Sequence, residues 1–186
     1  MPKLSRRIDA FVKLGHYLRS LNSRNNNIDA AESERKCLKN LEETVRNAPA
    51  YNGWFTDANV RQMLVALGES LEKQKLEKWL NQYLPKLAEE REEKTIAVVM
   101  AGNIPAVGFH DFLSVLISGN KLLAKLSSDD EKLLPAIAEL LIAIEAGFAG
   151  KIEFTSNQIK SFHAVIATGS DNSSRYFEYY FGKYPN

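Results

Sequence analysis

The stretch Thr95-Ile96-Ala97-Val98-Val99-Met100-Ala101-Gly102-Asn103-Ile104-Pro105 is where the chain changes character. Residues 96–100 are apolar without interruption, the pattern of a strand buried on both faces of a parallel sheet. Gly102 and Pro105 then mark a turn. An apolar run over 108–117 predicts a helix ended by Gly119-Asn120, residues that tolerate left-handed backbone. A second strand is expected over 121–126. Ser128 and Glu131 form a Ser-x-x-Glu capping pattern ahead of a helix burying Leu133, Ile137, Leu140, Leu141 and Ile144. Further strands are expected over 151–154 and at Ala164-Val165-Ile166-Ala167. A last helix starts near Asp171 or Asn172 and carries Tyr176, Phe177, Tyr180 and Phe181. Strands alternating with helices predict an α/β layer.

Working back toward the amino terminus, residues 1–94 show helical spacing and no strand pattern. Ile8, Phe11, Leu14 (or Gly15) and Leu18 form an amphipathic stripe. Asn25-Asn26-Asn27 breaks it. A charged helix over 29–47 is expected to stop at Pro49, and Tyr51-Asn52-Gly53-Trp54-Phe55 reads as a turn. Thr56 or Asp57 would cap a helix burying Val60, Leu64 and Leu67. Leu71, Leu76, Trp79, Leu80 and Tyr83 continue a final helix that Pro85 ends, and 89–94 reads as a solvated connector. The expected organisation is thus a helical region over 1–94 and an α/β domain over 95–186.

With 24 basic and 23 acidic side chains among 186 residues, the formal charge is +1. No chain-wide field draws the protein to nucleic acid or to an anionic membrane. The most apolar segment, 133–149, is interrupted by Pro135, Glu139 and Glu145, so no membrane span is expected. Cys37 is the single cysteine, which excludes an internal disulfide and fits a cytoplasmic setting. His16, His110 and His163 lack metal-ligand spacing, so no metal is expected. Asn172-Ser173-Ser174 is a glycosylation triplet by pattern alone.

Ligands of open α/β sheets sit beyond the carboxyl ends of the strands. Three such ends carry small or polar residues: Gly102-Asn103-Ile104-Pro105, Lys125-Leu126-Ser127-Ser128 and Thr168-Gly169-Ser170-Asp171. Taken singly, each also reads as an ordinary turn or helix start. Their order after three separate strands is harder to read that way. The aromatic positions 176, 177, 180 and 181 read as core, or as a seam to a further domain.

Ala101-Gly102-Asn103-Ile104-Pro105 resembles the Pro-Trp-Asn-Phe-Pro motif of the aldehyde dehydrogenases. Ser118-Gly119-Asn120-Lys121 resembles their Ala-Gly-Asn, Lys125-Leu126-Ser127-Ser128 their Lys-Pro-Ser-Glu, and Ala167-Thr168-Gly169-Ser170 their Phe-Thr-Gly-Ser. The wording of 102–125, with Val107-Gly108-Phe109-His110-Asp111-Phe112-Leu113-Ser114, and of 164–186 is closer to the acyl-CoA reductase branch that includes the fatty-acid reductase of bacterial bioluminescence. The resemblance covers roughly 95–186; the helical half matches only in length and position.

The resemblance implies a Rossmann-like parallel sheet of the aldehyde dehydrogenase type. It also implies reduction of an acyl-CoA or acyl-protein thioester to a fatty aldehyde through a cysteine thioester. By the same resemblance Asn103 donates to the developing oxyanion, a contact typically worth about 3 kcal/mol; alternatively, it stabilises its own turn. Lys125 reaches the adenosine ribose, with Gly102, Ser127, Ser128, Gly169 and Ser170 completing the cofactor contacts. Ser128 stands where many NAD-using relatives carry a glutamate, which favours NADP(H) over NAD(H). Ser128 also reads as a helix N-cap.

Cys37 falls far upstream of the family's nucleophile. The chain is therefore expected to be a truncated amino-terminal portion, inactive alone and completed by a carboxy-terminal catalytic domain. Missing strands would leave an open sheet edge and an apolar face, so either homo-oligomerisation or poor solubility is expected. Two rival readings stand beside this one: a nucleotide- or cofactor-binding module without catalysis, and a helical interaction domain with an α/β appendage.

Overall fold

The computed structural model describes residues 1–22, 29–87, 89, 91–168 and 171–184, with the backbone alone at 171–174 and 176. Five helices come first: α1 (Leu4–Ser20), α2 (Glu32–Tyr51), α3 (Asp57–Ser70), α4 (Lys73–Leu80) and α5 (Leu84–Leu87), the last two joined by a 3-10 turn at Asn81–Tyr83. The α/β part follows as β1 (Thr95–Val99), α6 (Phe109–Ile117), β2 (Lys121–Lys125), α7 (Leu133–Ile144), β3 (Ile152–Thr155), β4 (Ala164–Ala167) and α8 (Asp171–Phe181). The four strands form one parallel sheet in the order β3-β2-β1-β4. The chain is an α/β protein, as its alternating pattern predicts.

The uninterrupted apolar run at β1 has a direct structural cause. Val98, Leu122 and Ala124 face a layer holding α6 and α7, while Ala97, Leu123 and Val165 face Ile159 and Phe162 on the opposite side. Both sheet faces are covered, so neither can be polar. The first face belongs to a core that continues into the helical half. Phe11 of α1 meets Phe112 of α6 edge-on at 6.3 Å and Phe148 at 5.8 Å. Arg7 of α1, itself buried, donates through Nε to the Ile117 carbonyl at 3.0 Å. That carbonyl belongs to the last turn of α6, whose acceptors have no partner within the helix.

Helices α1 and α3 cross at a glycine pair. A Cβ on Gly15 would lie 2.6 Å from Leu71 Cβ, and one on Gly68 would lie 2.7 Å from the Gly15 carbonyl oxygen. Only residues without a side chain permit that approach. In α3, Thr56 is the cap, its side chain accepting from the Asn59 N–H at 3.2 Å.

Three sequence expectations are corrected. Pro49 lies inside α2 rather than stopping it. So near the end, a proline removes only one helical hydrogen bond, and Asn52 N–H still reaches the Ala48 carbonyl at 3.0 Å. Pro85 falls in the first turn of α5, where its missing N–H costs nothing. The Ser128–Glu131 capping pattern does not form: α7 begins only at Leu133, and Asp130 accepts the Leu133 N–H.

Candidate functional site

All four strands run parallel, so the loops leaving β1, β2 and β4 open on one edge. Val99 pairs with Lys125 on one side and with Ala167 on the other. Met100 N–H donates to the Lys125 carbonyl at 3.0 Å, and Thr168 N–H to the Val99 carbonyl at 3.2 Å. Strand order reverses between β1 and β4. At such a switch point the flanking connections leave on opposite faces and a crevice opens.

Within this edge the sequence-selected residues are not all equivalent. Gly102 is buried against Ser127: a Cβ there would lie 2.6 Å from Ser127 Cβ and 3.1 Å from Asp129 Cβ. Those two loops are therefore in backbone-close contact. Asn103 is exposed next to them, and its side-chain amide makes no hydrogen bond to any described residue. It is not spent on stabilising its own turn. Lys125 ends β2 on the same sheet face as Leu123, as a period of two requires, and its Nζ donates to the Ser156 carbonyl at 3.2 Å. Ser128 is exposed on a different recess, beside Tyr51 and Phe55. Lys125 and Ser128 therefore do not share a cavity. Gly169 and Ser170 lie outside the described residues.

The loop bearing Asn103 is held by a group that the sequence reading passed over. Asp130 is buried, and its carboxylate accepts the Ala106 N–H at 2.6 Å and the Leu133 N–H. Burial pushes its pKa above the ordinary aspartate range, with the two backbone donors working against that rise. Ala106 sits at φ +53, left-handed backbone that an alanine adopts only when its surroundings require it. Val107 N–H closes the turn onto the Ile104 carbonyl at 3.2 Å. The signal was available: two aspartates after Ser127-Ser128, residue types that favour helix N-caps.

On the α8 face a cavity of about 500 Å³ opens at the ends of β1 and β2, between Val99, Lys125, the segment 158–162 and the carboxy-terminal part of α8. Phe162, Phe181 and Tyr184 form an aromatic wall, with Phe162 lying 4.2 Å from the Tyr184 ring and 6.0 Å from Phe181. Of the aromatic positions of α8, Phe181 packs on the smaller core, and Phe177, Tyr180 and Phe181 line the cavity.

Asp111, rather than His110, reaches the carboxyl edge: it accepts from the Thr168 hydroxyl at 3.4 Å. His110 is exposed, 5.7 Å from the Trp79 ring. Among the described residues no cluster of His, Cys, Asp or Glu could hold a metal ion, and no helix is long and apolar enough to cross a membrane. Cys37 is half-buried on α2, and burial, then the charge of Glu139, pushes its thiol up in pKa.

A two-sided parallel α/β layer with its loops gathered on one sheet edge is the class of protein that these features define. The family model for acyl-CoA reductase (LuxC) matches residues 13–176, and the chain belongs to that family. At the coarse level it is an oxidoreductase of the acyl-CoA reductase kind. No curated protein and no solved structure gives a match to the chain.

Proposed function

We propose that this chain is the cofactor-binding portion of an NADPH-dependent acyl-thioester reductase, of aldehyde dehydrogenase-like, Rossmann-like architecture, that forms a fatty aldehyde. The observation that carries the reading is the gathering of the loops after β1, β2 and β4 on one edge, beside a cavity headed by Lys125. The sheet order β3-β2-β1-β4 is also that of dinucleotide-binding sheets around their switch point.

The cofactor supplies a hydride to the acyl carbon. The residues of this chain bind and orient. Asn103 presents an uncommitted amide on a loop braced by Asp130, as an oxyanion donor requires. Lys125 offers an ammonium to the ribose end of the cofactor, with Gly102 and Ser127 shaping the adjoining loops. Gly169 and Ser170 complete the proposed contact set, and Ser128, which opens on another recess, is left out of it. Among the described residues no aspartate or glutamate lines the Lys125 cavity, which supports NADP(H) over NAD(H).

The acyl-accepting cysteine comes from outside these 186 residues. Cys37 is remote in sequence from the carboxyl-edge loops, and its raised pKa leaves little thiolate at neutral pH. By itself the chain would thus bind the cofactor without turning over a thioester.

The test is NADPH-dependent thioester reduction by the full-length parent and its Asn103→Ala variant. Loss of one oxyanion donor should lower kcat by about 10²–10³ while KM moves little. An unchanged kcat would remove Asn103 from this role. Titration of the 186-residue chain with each nicotinamide cofactor completes the test, and tighter binding of NADH than NADPH would overturn the cofactor assignment.

A further inference from the structure

The cavity on the α8 face contains three cations that no acidic side chain offsets among the described residues. Lys125, Lys160 and Lys183 line it, and no described aspartate or glutamate does. Lys160 and Lys183 are exposed, and neither makes an ion pair with a described carboxylate. Lys183 Nζ lies 5.3 Å from the Tyr184 ring centroid. The aromatic wall of Phe162, Phe181 and Tyr184 stands in the same space. At about 500 Å³ the volume falls within the usual range for small-ligand sites. Ser161, on the same rim, holds φ +61, one of two non-glycine positive-φ residues among those described; the other is Ala106, in the Asn103 loop. Strained backbone of this kind collects where a site must keep its shape.

Aromatic rings receive a purine by stacking, and ammonium groups receive a phosphate dianion. We infer that this cavity binds an adenosine carrying a phosphomonoester on its ribose, and that Lys160 and Lys183 are the residues that select for that phosphate. The inference rests on the reductase reading for its biological context, and it moves the selection away from Ser128, which opens on another recess. Two sources supply the chemistry: the 2′-phosphate of NADPH and the 3′-phosphate of coenzyme A.

Calorimetric titration of the 186-residue chain with 2′,5′-ADP, 3′,5′-ADP and 5′-AMP tests it. At least one bisphosphate should bind on the order of tenfold tighter than 5′-AMP, the margin of a charge-assisted contact. The double variant Lys160→Gln/Lys183→Gln should erase that margin and leave 5′-AMP binding unchanged. Both lysines are exposed, so the variant should fold, and circular dichroism verifies it. Preference for 2′,5′-ADP assigns the site to NADPH, and preference for 3′,5′-ADP assigns it to coenzyme A. Equal affinity for all three probes, or a margin that survives the double variant, overturns the inference. In the full-length enzyme the double variant should raise the KM of the cosubstrate that the titration selects, NADPH or the acyl-CoA; thioester reduction with both KM values unchanged would refute this site but leave the reductase reading intact. No thioester reduction by the wild-type enzyme, with the bisphosphate margin present in the wild-type chain and erased in the double variant, would do the reverse.

Discussion

Replacing Asp130 by alanine should destabilise the protein and slacken the loop that carries Asn103. The magnitude follows from what the carboxylate holds. It accepts two backbone N–H groups, those of Ala106 and Leu133, and both residues are buried. An abandoned buried donor costs about 1–3 kcal/mol. Two opposing effects reduce the sum. Removal relieves the desolvation that raises the Asp130 pKa, and it lets Ala106 leave its left-handed conformation, which holds about 1–2 kcal/mol of strain. A net loss of about 2–3 kcal/mol remains, or about 5–10 °C in Tm for a chain of this size.

Asp130→Asn keeps one acceptor oxygen and should cost less, about 1 kcal/mol. The pair also predicts a pH dependence. Because the folded-state pKa lies above the ordinary aspartate value of 3.8, the folded protein holds this proton more tightly than the unfolded chain. Wild-type stability therefore declines, relative to Asp130→Asn, as pH rises from the ordinary value through the raised one. Urea unfolding of both proteins in acid and at neutral pH measures the difference. An alanine variant with the wild-type midpoint would refute the bracing role. A wild-type advantage over Asp130→Asn that grows with pH would refute the sign.

The remaining predictions concern packing, ion pairing and reactivity. Gly102→Ala puts a Cβ 2.6 Å from Ser127 Cβ, so it should cost about 1–3 kcal/mol in denaturant unfolding. Adding Ser127→Gly should recover part of the loss, and no recovery would mean that the clash is not the cause. Glu34 is buried, yet hydrogen bonds from Lys13 at 2.6 Å and Tyr17 at 2.7 Å, with the Ala31 N–H, outweigh that burial and keep its pKa below the ordinary 4.5. Its contribution should be complete above pH 4.5 and fade as pH falls through the lowered value; Glu34→Gln unfolding with the same acid dependence as wild type would count against it. Cys37 should react with a disulfide reagent at neutral pH about tenfold slower than a free small thiol, its thiolate fraction being reduced by burial; an equal rate would contradict the half-buried placement.

Where side-chain periodicity decided the structure, the sequence was legible. The unalternating run at β1 announced a strand covered on both faces, and the polar ends of β1, β2 and β4 announced the edge on which loops collect. The prolines misled because a breaker acts by position. Pro49 lies too near a helix end, and Pro85 too near a helix start, to interrupt much bonding. Asp130 was half legible: aspartates ahead of an apolar helix suggest a cap, as its bond from the Leu133 N–H bears out, but its other partner lies 24 positions earlier and no local pattern reports that pairing. Lys160 and Lys183 were illegible in the same way. They are 23 residues apart and share a cavity only because residues 158–162 and the end of α8 meet on one face of the sheet.

The helical half belongs to the argument about the site as much as to the fold. Residues from both sides of position 94 share one apolar core, with Phe11, Leu14 and Leu41 alongside Phe112, Leu116 and Leu140. Two polar ties run the same way. Arg7 reaches the Ile117 carbonyl in the last turn of α6, and Asn52 donates through Nδ2 to the Asp129 carbonyl at 3.3 Å, in the loop that carries Ser127 and Asp130. The turn after α2 therefore rests on the same loop that braces Ala106. A mutation in the helical half that loosens this turn would reach the Asn103 loop through a short chain of contacts, from Asn52 to Asp129 to Asp130 to Ala106, without touching the sheet. On this arrangement the helices brace the loop after β2 from behind, and removing them would expose the buried side of α6 and α7.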